Sequence, residues 1–392
     1  MNIEEKVIQN KNVQENLQNL LSFAFQQNYA VALYQLPDSA EKNLIIDLSG
    51  KPVLLKPELN HLPPGFMFSR FDNQGLSYYL KAEVHITFSH DQMQTHTGAS
   101  QNFLEHVNPE KEPITNSDIS YFTSQNLPPR NLTDYQILVQ KAIEAIKAKE
   151  FLKVVPSRYK SIDLSKNFNL VHTFQLLCER YPNAFVSLVS IPQIGTWMGA
   201  SPEILIKTDA SQHFFTAAVA GTQAYQPGLP MWEVLWRQKE IEEQAMVSRY
   251  IIDCFKKIRL REFCEDGPKT AQAGKMVHLR TDFAVDMEAT NFPQLGNVML
   301  ELLHPTSAIC GMPRKPAFEF LQKHEGYDRE FYSGFLGPVN MQNATDIFVN
   351  IRCMQLWQDK AIVYAGAGVT RYSNPQQEWQ ETEMKCNTML DV

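Results

Sequence analysis

The chain has 392 residues, 44% apolar and 20% charged, with a net charge of −7. That size suits two average domains or one large α/β domain, and the composition excludes a disordered chain. The acidic balance, with no run of like charges, argues against nucleic acid as a partner. Nor does any apolar segment approach the length of a membrane span.

The N-terminal MNIEEKVIQNKNVQ has no apolar stretch that would act as a signal peptide, so a cytoplasmic protein without a membrane partner is expected. Residues 29–88 hold extended runs, YAVALYQL, NLIIDL, FMFSRF and LSYYLKAEVHITF, rich in β-branched and aromatic residues and read as strands. Residues 89–130 are polar throughout and predict a long loop. A helix follows near Thr133, with Thr133 and Gln136 as a capping box and Leu138, Ala142 and Ile146 as its apolar stripe. KVVPSRYKSI, AFVSLVSI, TWMGASPEILIK and HFFTAAVAGTQAY read as strands, and a long helix is expected from about Trp232 to Ile258. KMVHLRTDFAVDM reads as another strand, and a helix near 313–325 stops before Gly326. DIFVNIRCMQLW and AIVYAGAG, separated by QDK, predict a hairpin. The last helix has Asn374 at its N-cap and Pro375 at its first position. Strands in hairpin-like pairs disfavour a doubly wound parallel fold, and six cysteines without a CxxC pair read as reduced thiols.

Two helices carry Glu-x-x-Glu. In EWQETEMK, Glu378, Glu381 and Lys385 fall within about 60° of one another on a helix. Glu240 and Glu243 share a stripe with apolar Trp236, Val247 and Ile251, which points them inward. Buried carboxylates call for a compensating cation, and a hard one such as Mg²⁺ prefers carboxylate oxygens and water. The same pattern is met by two amphipathic helices whose glutamates edge the stripe or face solvent.

LKVVPSR, GASPEILI, AVAGTQ, KEIEEQ, LLHPTSAICGMPR, HEGYDREFYSG, NIRC, YAGAGV and EWQETEMK occur in this order from about residue 131 to the end. In them the chain resembles the chorismate-utilising enzymes, the isochorismate, salicylate, anthranilate and aminodeoxychorismate synthases. The resemblance implies an α/β (α+β) fold: two large, mostly antiparallel sheets packed together with helices outside. One chorismate-binding domain would span 1–392, with a variable part at 1–130 and the catalytic motifs in 131–392. Glu243 and Glu381 would bind Mg²⁺ directly, with Glu240 and Glu378 in support through water. Ala220, Gly221 and Thr222 would offer backbone donors to the ring carboxylate, with Lys385 nearby. Arg352 would pair with the enolpyruvyl carboxylate beside Gly366, and Tyr332 would line that pocket.

Lys153 is implied as a general base toward water and Glu203 as the general acid for the departing C4 hydroxyl. Anthranilate synthases typically carry glutamine where Lys153 stands. HPTSA resembles the isochorismate synthases, and its His304, Thr306 and Ala308 would shape the pocket. The activity implied is therefore Mg²⁺-dependent, reversible conversion of chorismate to isochorismate, with no redox cofactor and no glutaminase partner. Family members of this type are often monomers, and their product feeds menaquinone, catecholate siderophores and salicylate. The alternatives are a salicylate synthase, which goes on to eliminate pyruvate, an anthranilate or aminodeoxychorismate synthase component, and a non-catalytic chorismate sensor. Gln244, where many relatives have histidine, and the short stretch from Thr222 to Glu240 depart from the family pattern.

Overall fold

A computed structural model of the chain describes residues 6–9, 13–72, 74–89, 92–107, 127, 131–273 and 276–392. Two large sheets dominate, and every strand pair in them is antiparallel. The first sheet has ten strands and contains Ala30–Gln35, Phe185–Ile191, Gly195–Ser201, Cys353–Leu356, Lys360–Gly366 and, at one edge, Ser157–Asp163. The second has nine, with His213–Ala224 beside Met276–Asp286 and Ile204–Thr208 beside Thr345–Val349.

Period-two alternation builds the layers. Ala30, Ala32 and Tyr34 face inward and meet Phe66, Phe68 and Phe348 of the second sheet in one apolar cluster. The intervening Val31 and Leu33 face outward and pack with Leu17, Leu21, Phe174 and Met389 from helices on that side. The outer face of the second sheet is covered by the helices Leu132–Lys147, Gln238–Lys257, Leu295–Leu303 and Arg314–His324. The result is helices, sheet, sheet, helices, which is the architecture expected from the sequence.

Several boundaries differ. The strand Gln92–Thr95 and the helix Gly98–His106 lie inside the expected 89–130 loop, the helix capped by Thr97; residues 90–91, 108–126 and 128–130 lie outside the described residues. Asn131 and Asp134 form the capping box, not Thr133 and Gln136, because Asn131 already satisfies the Asp134 N–H at 3.0 Å. The helix expected from Trp232 starts at Gln238. Before it, the Trp236 indole donates to Thr270 Oγ1 at 3.0 Å, tying the chain to a strand.

Candidate active site

The site forms where the chain leaves one sheet for another. TWMGASPEILIK is two strands in different sheets, separated at Pro202–Glu203. DIFVNIRCMQLW likewise splits, Thr345–Val349 in the second sheet and Cys353–Leu356 in the first, with Arg352 at the crossing. KVVPSRYKSI breaks at Val155–Pro156; Lys153–Val154 pairs with Gly311–Met312 in a small separate ribbon. Proline supplies no ladder donor, which suits it to such breaks. Lys153, Glu203 and Arg352 thus all come from junctions.

Each junction is held by backbone and buried polar contacts. Ser201 Oγ donates to Val349 O at 2.6 Å, and the Glu203 carbonyl accepts from Val349 N at 2.9 Å. Arg352 takes a left-handed φ of +51°, and its carbonyl accepts from Ala200 N at 3.0 Å. Val154 exchanges hydrogen bonds with Val369, fixing Lys153 next to Gly368.

A cavity between the junctions is lined by Glu203, Ala220, Gly221, Thr222, Glu243, Ala308, Tyr332, Arg352, Gly366, Glu381 and Lys385. Gly221 sits in a bulge at φ +68°, with Glu240 Cβ only 3.0 Å from where its own Cβ would stand. Lys153 is behind the wall: its side chain is buried and its Nζ lies 2.8 Å from Glu243 Oε1. Thr306 is also behind, its hydroxyl 3.5 Å from Glu203 Oε1. His304 is not brought to this cavity. Its Nε2 lies 3.3 Å from Phe71 O, its ring packs edge-on against Phe335, and it lines a different cavity.

Burial pushes the Glu203 carboxyl up to about 7, despite the opposing charges of Lys153, Lys385 and Arg352. It is therefore a carboxylic acid able to give up a proton near neutrality. Arg352 is buried without an ion pair among the described residues, and its side chain donates to Thr388 Oγ1 at 3.5 Å and Met276 Sδ at 3.9 Å. An unpaired guanidinium facing a cavity is a site for an anion.

The four glutamates each have a cation. Glu240 caps its own helix, accepting from the Arg237 N–H at 3.1 Å and from Arg237 Nη2 at 2.8 Å. Glu243 pairs with Lys153, Glu378 Oε1 with Lys239 Nζ at 2.7 Å, and Glu381 Oε1 with Lys385 Nζ at 2.7 Å. Lys385 also donates to Gly366 O at 2.8 Å. Burial and then Glu381 raise the Glu378 carboxyl, against the pull of Lys239. Among the described residues, Glu378 Oε2 is buried without a hydrogen-bond partner. Orphaned carboxylate oxygen beside further carboxylates is the hard donor chemistry that Mg²⁺ takes, so the residues fit the ion. Among the described residues they are not already gathered into a cluster of three ligands.

Two further residues belong to the site without a sequence motif of their own. His278 lines the cavity, with Nδ1 3.1 Å from Gly221 O and 3.2 Å from Thr222 Oγ1. Burial, aided by Arg352, holds it down to about 3, so it is neutral. Lys239 lies between the two glutamate helices; the pattern that pointed to the carboxylates also contained it, in KEIEEQ.

A family model described as chorismate binding enzyme matches residues 60–392, and the chain belongs to that family. Its curated relatives include isochorismate synthase EntC of Escherichia coli (strain K12), 27% identical over 269 residues that cover 66% of this chain and 67% of that one. Isochorismate synthase MenF of the same strain is 25% identical over 311 residues, 78% of this chain and 70% of that one. The solved structure of MenF, the menaquinone-specific isochorismate synthase from Escherichia coli, matches with a TM-score of 0.76 at 20% identity, covering 98% of this chain and 94% of that one. Anthranilate synthase component I from Streptococcus pneumoniae TIGR4 matches at 0.68 and 17% identity, covering 99% and 93%. At these identities the two structures establish the fold, and the choice of reaction rests on residues.

Proposed function

We propose that this chain is an isochorismate synthase that converts chorismate to isochorismate reversibly and with Mg²⁺. One observation carries the reading: Glu203 and the unpaired Arg352 line one cavity, and Lys153 is buried directly behind Glu243 in its wall. A base and an acid of this kind are what replacing one ring hydroxyl by another requires. Lys153, acting as the neutral amine, takes a proton from a water molecule as its oxygen bonds to C2. The ring double bonds shift, and the C4–O bond breaks. Glu203 gives its proton to the C4 oxygen, which leaves as water, so one water enters and one departs. Its pKa of about 7 suits that role.

Arg352 holds the enolpyruvyl carboxylate, with Tyr332 and Gly366 completing that end of the pocket. The Ala220–Thr222 bulge and Lys385 face the ring carboxylate. Mg²⁺, held by Glu243 and Glu381 with Glu240 and Glu378 in support, would grip that carboxylate and offset its charge. Neutral His278 fixes the bulge through Gly221 and Thr222. No amine donor or glutaminase is needed, since the added nucleophile is water.

Incubating the purified chain with chorismate and Mg²⁺, and following products by proton NMR, tests this. Isochorismate without pyruvate is expected. Salicylate with equimolar pyruvate, or a product formed only when ammonium is added, would assign the chain to another branch of the family.

A further inference from the structure

The three lysines facing the glutamates are not equivalent. The Lys153 side chain is 1% exposed and paired with Glu243 at 2.8 Å. Lys385 is bound twice, to Glu381 and to the Gly366 carbonyl. Lys239 has one hydrogen-bond partner among the described residues, Glu378, and its side chain is 24% exposed. It belongs to the helix Gln238–Lys257 but reaches across to Glu378 on the helix Pro375–Leu390. Glu381 and Glu243 act on the same ammonium. A flexible, strongly hydrated ammonium therefore stands among three of the four carboxylates, with a route to solvent.

From this placement we propose that Lys239 is a tethered cation that occupies the glutamate cluster when no divalent ion is bound, and that it swings outward when one binds. The proposal rests on the magnesium reading above. Its basis is simple electrostatics. Without Lys239, buried Glu378 would face Glu381 with no cation of its own, and an unpaired buried carboxylate is costly. With a divalent ion present, a neighbouring ammonium is repelled. Of the three lysines, Lys239 has the most exposed side chain and so the most room to leave. The consequence is a site that stays intact when empty but binds its metal weakly.

The test is binding, without substrate or turnover. Mn²⁺ binding, read by electron paramagnetic resonance, is compared for wild type, Lys239→Met and Lys239→Gln, with Glu378→Gln as a control. Both lysine variants should bind Mn²⁺ about tenfold tighter or more, because a nearby positive charge is gone. Equal or weaker binding, with wild type binding normally, would overturn the proposal and leave the magnesium reading intact. No binding by any of the proteins would overturn both. A measurement on wild type alone covers the case in which the variants misfold. Reductive methylation of Lys239, followed by mass spectrometry, should rise severalfold on adding Mg²⁺, and an unchanged or lower yield would contradict displacement.

Discussion

Gly368 and Glu243 meet so closely that a Cβ on Gly368 would stand 2.5 Å from Glu243 Oε1, and 3.1 Å from Lys153 Cε. The glycine is thus the space that lets Lys153 sit behind the cavity wall against Glu243. Gly368→Ala should displace that pair while leaving the sheets intact. A loss in kcat of about a hundredfold is expected, the usual cost of a misplaced reacting group. The unfolding midpoint should stay within a few degrees of wild type, checked by thermal melts beside steady-state kinetics.

Glu203 gives a pH prediction. Burial raises its carboxyl to about 7, so the acid form persists below that value and is lost above it. Turnover should therefore fall as pH rises through about 7, tenfold per unit at the limit. Stability follows the same sign: a carboxyl raised by folding favours the folded state at low pH, and that contribution is lost as pH climbs through about 7. Glu203→Gln should remove this stability slope and lower kcat by about 10²–10⁴-fold. A denaturation series from pH 5 to pH 8 and a kcat profile check the two halves.

Arg352 is expected to act mainly in binding. Arg352→Ala should raise the Kd for chorismate by about thirtyfold or more, from loss of a desolvated charge contact of at least 2 kcal/mol. Arg352→Lys should recover only part of it, because an ammonium lacks the two-pronged fit to a carboxylate. Equilibrium dialysis with chorismate and the inactive Lys153→Ala variant measures this without turnover.

A stability prediction comes from Glu325 and Arg329, both buried. Glu325 accepts from Arg329 Nε at 2.6 Å and Nη2 at 2.8 Å, and from Ser157 N at 2.6 Å. Arg329 in turn donates to Val155 O at 2.7 Å and Ile309 O at 2.9 Å. The pair therefore ties together two segments that line the cavity. Glu325→Ala leaves the guanidinium buried without its anion and should cost about 3–5 kcal/mol, read by urea unfolding.

The sequence revealed the elements that announce themselves locally. Asn374 and Pro375 mark the start of the glutamate helix, and the structure places Asn374 Oδ1 on the Gln376 and Gln377 amides. What it concealed was sheet membership. TWMGASPEILIK keeps its β character on both sides of Pro202, and nothing in the residues says that the chain changes layer there. The left-handed turn at Arg352 carries no glycine to signal it. Lys239 and His278 are not marked by any spacing: the Glu-x-x-Glu pattern signals the anions, and their partners carry no periodic signal of their own. The short helix Gly98–His106 was hidden by composition, since only Ser100 and Phe103 of its nine residues are buried. His304 shared a motif with Thr306 and Ala308, yet the turn of the chain sends its ring to Phe335.

In the proposed reaction, water attacks the ring while the original hydroxyl departs. Running the reaction on chorismate in H₂¹⁸O and taking the mass spectrum of the first product formed tests it most directly. One solvent oxygen at C2 of isochorismate, a gain of two mass units, is the predicted result. Isochorismate formed without the label would contradict it, because the hydroxyl would then have moved within the substrate, and Lys153 would have no water to activate.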